Sequence, residues 1–293
     1  MTRGLRPRQL ADLKYQLPNL LDNGGFEVWQ RGAGPFTGAW QPTADRWWGY
    51  TTGTATIQRS TDAKEGNYSM EYVQSAGANG SMRQSLENFQ SLEGQYLTFS
   101  MWVKTSSLNA ARLSLYDWNG VSAEAENGEY HTGSGEWERL SVTKLIRTGL
   151  ASGYGSTPHT FGLLLYVHIA GGCTVKLDGA TCVVGNFPEG VPYAPEHPAD
   201  EIEKCERFCE YGWTRRGFIS NGPYNSSGVT IMAGIAFKTY KQATPVMTYT
   251  SVTGIYNNWY GFYSTNSVRT AMYFRNTNSN DARAMCYWKA EVV

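Results

Sequence analysis

The chain has 293 residues, and its 25 basic and 25 acidic side chains cancel, leaving a charged fraction of only 17%. That balance speaks against a nucleic-acid binder, which carries a basic excess, and no apolar run is long enough to cross a bilayer as a helix. Aromatics reach 14%, with 19 Tyr and 10 Trp beside 32 Gly, a profile of short strands and tight turns that also suits a surface packing flat rings against pyranose faces.

Residues 1–18 read as a basic docking arm, with Arg3, Arg6, Arg8 and Lys14 set against one acid, Asp12. Leu10, Leu13 and Leu17 are spaced for a short helix. The arm lacks the uninterrupted apolar core of a secretory signal, so synthesis in the cytoplasm is expected. The five cysteines, Cys173, Cys182, Cys205, Cys209 and Cys286, are odd in number and lack zinc-ribbon spacing. Free buried thiols are therefore expected.

From 19 to 196 the pattern is all β. The runs "TATIQRS", "YSMEYVQ", "YLTFSMWVK", "ARLSLYDW", "ERLSVTKLI", "FGLLLYVHI" and "CTVKLDGATCVV" alternate apolar and polar residues. Asn-Gly pairs at 79–80, 119–120 and 127–128 read as turns. Many short strands without intervening helices predict a jelly-roll β-sandwich. Pro188, Pro192, Pro195 and Pro198 then forbid a continuous helix or central strand. After them "ADEIEKCERFCEYG" predicts one short helix with Ile202, Cys205, Phe208 and Cys209 on a stripe, ended by Gly212. Residues 197–293 otherwise return to β patterning and form a smaller β-rich module. Its core is thin for a lone unit, which calls for oligomerisation.

The stretch "NLLDNGGFEVWQRG" followed by "TADRWW" resembles the opening of many bacteriophage tail-fibre and virion surface proteins. The span through "EGNYSMEYVQS", "LEGQYLTFSMWVKT", "GEWERLSVT" and "CTVKLDGATC" is similar to carbohydrate-binding modules of the galactose-binding-like jelly-roll type. "PADEIEKCERFCEYG" with "FKTYKQATPVMTY" resembles the helix-plus-β modules that end many phage fibres, Cys205, Arg207, Phe208, Lys241, Thr244, Pro245 and Val246 standing at the motif positions. The resemblance implies a non-enzymatic virion protein of a tailed phage, displayed on the particle surface. It would be a homotrimeric short tail fibre or spike that contacts other virion proteins and binds host surface glycan. The alternative is a capsid decoration or head-fibre protein that docks through the arm. The long repeat shaft usual in fibres is missing.

Related jelly rolls hold a structural calcium, and the matching positions here are Glu27 and Asp178; no other cofactor is implied. For glycan, Tyr116 and Trp118 share one face of their strand, with Asp117 or Asn119 expected at its rim and Trp47, Trp48 and Tyr50 as further candidates. Trp102 and Trp137 are expected in the core. Catalysis finds no support. There is no Gly-x-Ser-x-Gly elbow, no His-Glu-x-x-His and no phosphate-cradling loop, and Glu124, Glu126 and Glu129 read as a solvated polar turn.

Overall fold

The computed structural model describes residues 17–151, 162–215, 229–236, 246–253, 259–263, 269–276 and 285–291, with side chains described as far as Cys209. Arg3, Arg6, Arg8 and Lys14 lie outside the described residues. The chain divides into two compact units, Met1–His197 and Pro198–Val293.

The first unit holds β1 (Trp40–Pro42), β2 (Trp48–Thr51), β3 (Ala55–Ser60), β4 (Ser69–Gln74), β5 (Gly80–Ser85), a 3-10 turn at Phe89–Leu92, β6 (Tyr96–Lys104), β7 (Ala111–Trp118), β8 (Ala123–Tyr130), β9 (Trp137–Leu145), β10 (Leu163–Ile169) and β11 (Thr174–Val184). They form two antiparallel sheets, in the orders β1-β2-β5-β10-β7-β8 and β3-β4-β11-β6-β9. The unit is a jelly-roll sandwich, and alternation makes it one. Leu97, Phe99, Met101 and Val103 on β6 are fully buried, as are Leu113 and Leu115 on β7 and Leu163, Leu165 and Val167 on β10. All join one apolar cluster between the sheets, each side chain contributing about 1.5–3 kcal/mol by leaving water.

The lead-in before β1 is held by side chains where no ladder runs. Asn23 donates to the carbonyls of Val28 and Asp45 and accepts from the Val28 N–H. Trp47 donates from Nε1 to the Asn23 carbonyl at 3.0 Å and lies fully buried 5.0 Å from the Phe26 ring. The paired tryptophans of "DRWW" therefore split: Trp47 fills the core and Trp48 faces the other way. The lead-in also hooks onto β11. Leu20 N–H donates to the Cys182 carbonyl, Asn19 bonds both Ala180 O and Cys182 N–H, and Ala180 N–H donates to the Gly24 carbonyl. A bulge between Asp178 and Thr181 makes room for this, with Gly179 at φ +54.

Three local expectations need correction. Asn127-Gly128 is not a turn but lies inside β8, where Ser114 Oγ donates to Asn127 Oδ1 at 2.6 Å. A Cβ at Gly128 would meet the Ser141 carbonyl at 2.5 Å, so the glycine serves a close approach. "SAEAENGEY" is accordingly an exposed edge strand rather than a turn. The helix α1 spans Pro198–Glu206 only. Phe208 N–H closes on the Cys205 carbonyl, and Cys209 already begins β12 (Cys209–Arg215). Ile202 is exposed, while Cys205 and Phe208 are buried.

In the second unit β12 joins β13 (Val229–Ala236), β14 (Val246–Thr253), β15 (Trp259–Tyr263), β16 (Arg269–Asn276) and β17 (Met285–Glu291). They form two three-stranded antiparallel sheets, β12-β17-β14 and β13-β16-β15.

Candidate functional site

The ladders of the six-stranded sheet place its outward residues in register. One rung reads Trp40, Tyr50, Ser81, His168, Arg112, Tyr130, and the next reads Pro42, Trp48, Arg83, Tyr166, Ser114, Asn127. Tyr116 stands one rung further along β7, opposite Leu164 and Ala125, and Trp118 follows it opposite Ala123. With ladder neighbours about 4.8 Å apart, six strands give a face about 24 Å wide that is rich in rings and hydrogen-bonding groups.

Its contacts are specific. Tyr116 packs 4.8 Å from Tyr166 and 6.0 Å from His168 between ring centroids, and its hydroxyl lies 3.3 Å from His168 Nε2. Trp40 and Tyr50 are 4.2 Å apart, the Arg83 guanidinium sits 4.1 Å over the Trp40 ring, and Arg83 Nη1 donates to the Tyr166 hydroxyl at 3.3 Å. Arg112 lies 4.8 Å over the Tyr130 ring. Burial lowers the pKa of His168, and the neighbouring Arg112 charge lowers it further, so the imidazole is neutral near pH 7. Beside it a hollow of about 230 Å3 is lined by Asn79, Asn109, Arg112, Tyr130 and His168 among others.

Four of the five sequence candidates for this face lie on it, though not as one cluster: β5 and β10 separate Trp48 and Tyr50 from Tyr116 and Trp118, while Trp47 is fully buried in the core. Trp40, Arg83, Arg112, Tyr130, Tyr166 and His168 escaped the sequence reading. Period-two alternation in "LLLYVHI" carried a signal for Tyr166 and His168; the rest needed the register. Asp117 is not at the rim. It is buried, paired with Lys144 at 3.3 Å and Arg147 at 2.7 Å. Asn119 spends its side chain on the β7–β8 turn, accepting from Val121 and Ser122 N–H. Trp102 and Trp137 are half-buried rather than core. Trp102 donates to Glu65 Oε1 at 3.1 Å, with Lys64 4.8 Å and Arg139 5.5 Å from its ring.

Glu27 and Asp178 come together on a single loop. Asp178 Oδ2 accepts from the N–H groups of Lys64 and Glu65 at 2.7 and 2.8 Å, and its Oδ1 from Gly179 N–H at 2.7 Å. Glu27 Oε1 accepts from Asn67 and Tyr68 N–H at 2.6 and 3.0 Å, and Oε2 from Asn67 Nδ2. Gly66 between them has φ +65, and a Cβ there would strike Glu27 Oε1 at 2.3 Å. Calcium takes six to eight oxygen ligands. As they stand these carboxylate oxygens already accept N–H groups, and the described residues hold no group of three or more His, Cys, Asp or Glu able to ligate a metal. Burial pushes the Asp178 carboxyl up to about 7, outweighing the backbone donors that favour its charge.

Cys205 and Cys209 are divided between α1 and β12. Cys173 and Cys182 are free and buried, and Cys205 and Cys209 are buried. Among the described residues no helix is long and apolar enough to cross a membrane.

Neither a protein-family model nor a curated protein sequence matches the chain. Solved structures do show likeness over the sandwich. The CBM22-1 xylan-binding domain of Paenibacillus barcinonensis Xyn10C is similar over 58% of this chain and 97% of its own, at 14% identity and a TM-score of 0.39. TmCBM61, solved in complex with β-1,4-galactotriose, is similar over 57% of this chain and 99% of its own, at 16% identity and 0.35. The enzymatically active domain of bacteriophage CBA120 tailspike protein 4 is similar over 57% of this chain and 21% of its own, at 13% identity and 0.37.

Proposed function

We propose that the outward face of the six-stranded sheet is a glycan-binding platform, and that the chain is a non-enzymatic adhesion protein on the surface of a tailed bacteriophage. The observation that carries the first half is the rung geometry. Trp40, Trp48, Tyr50, Tyr116 and Tyr166 share one face, and rings fixed on a rigid sheet lose little entropy when a pyranose stacks on them. Arg112, Asn127 and His168 interleave with them to receive hydroxyl groups.

The virion setting rests on the sequence resemblance at 19–48 and 198–246. The free buried thiols Cys173 and Cys182 agree with assembly in a reducing cytoplasm. In this reading Pro198–Val293 supplies a trimer interface, the basic arm docks on the particle, and the sandwich displays the platform. Glu27 and Asp178 tie the 64–68 loop with their own oxygens, and a structural calcium there is the one cofactor the reading leaves to be tested by chelation.

Two measurements test the reading. Glycan-array screening of the full chain, repeated with Trp48→Ala and Tyr116→Ala, should show binding that both variants weaken; undiminished binding by both discards the platform. Immunogold labelling of intact particles with antibody against residues 213–293 should mark the tail. Label over the head replaces the fibre with a decoration protein, and no label removes the virion assignment.

A further inference from the structure

Three arginines of the sandwich each have a carboxylate at hydrogen-bond distance: Arg31 with Asp45 at 2.6 Å, Arg46 with Asp22 at 2.8 Å and Arg147 with Asp117 at 2.7 Å. Arg112 does not. Among the described residues it forms no ion pair, its Nε is buried without a hydrogen-bond partner, and its one charge contact is the Tyr130 ring. The residues in register with it on the same face, His168 and Ser81 on one side and Tyr130 on the other, are uncharged or neutral at pH 7. On the neighbouring rung the charged residue is another cation, Arg83. No Asp or Glu stands at the outward register positions of β1, β2, β5, β10 or β7. On these five strands the outward charge is therefore positive in a chain whose net charge is zero, the acids Glu124, Glu126 and Glu129 lying on the edge strand β8. Arg112 opens onto the hollow of about 230 Å3 that Asn79, Asn109 and Tyr130 share with it.

We infer that the platform selects acidic saccharides, with the Arg112 guanidinium pairing the carboxylate of a uronic-acid unit seated in that hollow. The inference rests on the glycan-platform reading and adds its substrate class. A planar guanidinium matches a carboxylate through two parallel N–H···O bonds, and stacking on Tyr130 holds its plane before the ligand arrives. Asn79 and Asn109 offer amide donors and acceptors to the hydroxyls of the same sugar. A single guanidinium beside a neutral imidazole balances one negative charge, which fits a carboxylate better than a dianionic phosphate.

The test is calorimetric titration of the full chain with trisaccharides of galacturonate, glucuronate and mannuronate, each paired with its carboxyl-reduced neutral partner at low ionic strength. At least one acidic member should bind about tenfold tighter than its partner, the size expected of one hydrogen-bonded charge pair. Added salt should narrow the gap. Arg112→Gln should close most of the gap, weakening the acidic ligand about tenfold and the neutral one far less, while Arg112→Lys keeps part of the preference. Equal affinity within every pair, or an Arg112→Gln variant that weakens both members alike, overturns acid selection while leaving the platform standing. Failure of all six sugars to bind, together with an array that Trp48→Ala and Tyr116→Ala leave unchanged, overturns both. Thermal melting of each variant shows whether a lost signal is lost fold.

Discussion

Three successive residues of β7 lead different lives. Leu115 is fully buried in the core, Tyr116 is half-exposed on the platform, and Asp117 is buried in an ion network with Lys144 and Arg147. The inner and outer faces of one sheet thus follow opposite rules. Inside, apolar side chains pack together and the buried Asp117 carboxylate is paired with protein cations. Outside, rings and the Arg112 guanidinium are held rigidly and left with capacity to spare. A sheet that is already stabilised by one face is free to present the other as a binding surface.

Substitutions along the strand sharpen that contrast. Asp117→Ala should cost most, about 3–5 kcal/mol, because Lys144 is left buried without its counter-charge; chemical denaturation should show the midpoint falling. Leu115→Ala should follow at about 2–5 kcal/mol, the usual toll of a cavity in a packed core. Both should leave glycan affinity unchanged in protein that remains folded, and selective loss of affinity would break the comparison.

Acidity should act through Asp178 on a smaller scale. Its folded pKa, about 7, lies above the ordinary 3.8, so between those values the folded state binds more protons than the unfolded one. Stability therefore falls as pH rises from about 4 to about 7, by on the order of 2 kcal/mol once the loop relaxes, and is flat above. Denaturation midpoints across that window should show the slope, and Asp178→Asn should flatten it. A chelator should leave the melting temperature unchanged; a large drop would place an ion between Glu27 and Asp178. Tyr116→Ala should do least to the fold, within about 0.5 kcal/mol, while lowering glycan affinity about tenfold, as removal of an aromatic anchor does.

Much of the sandwich was legible because its strands alternate cleanly: "YLTFSMWVK", "ARLSLYDW" and "FGLLLYVHI" each became a strand. β5 was not, since all six residues of "GSMRQS" are buried although four are polar. Their partners come from both sheets and the lead-in, which no local pattern encodes. The end of α1 was misplaced because Phe208 and Cys209 extend a helical stripe on paper, yet Cys209 begins seven residues that pair with β17. For the platform, periodicity put Tyr116 beside Trp118 and Trp48 beside Tyr50. It could not bring Arg112 next to His168 and Tyr130, because those neighbours are set by hydrogen-bond register between strands far apart in sequence.

The stitch between the lead-in and β11 has a mechanical consequence. Asn19, Leu20 and Gly24 are tied to Ala180 and Cys182, so a pull transmitted from residue 19 to residue 184 is borne by a handful of short hydrogen bonds at one place. β11 belongs to the five-stranded sheet, whereas the platform belongs to the other. Tension along the backbone therefore loads the five-stranded sheet first, although Asp22 also ties the lead-in to Gln84 on β5 of the other.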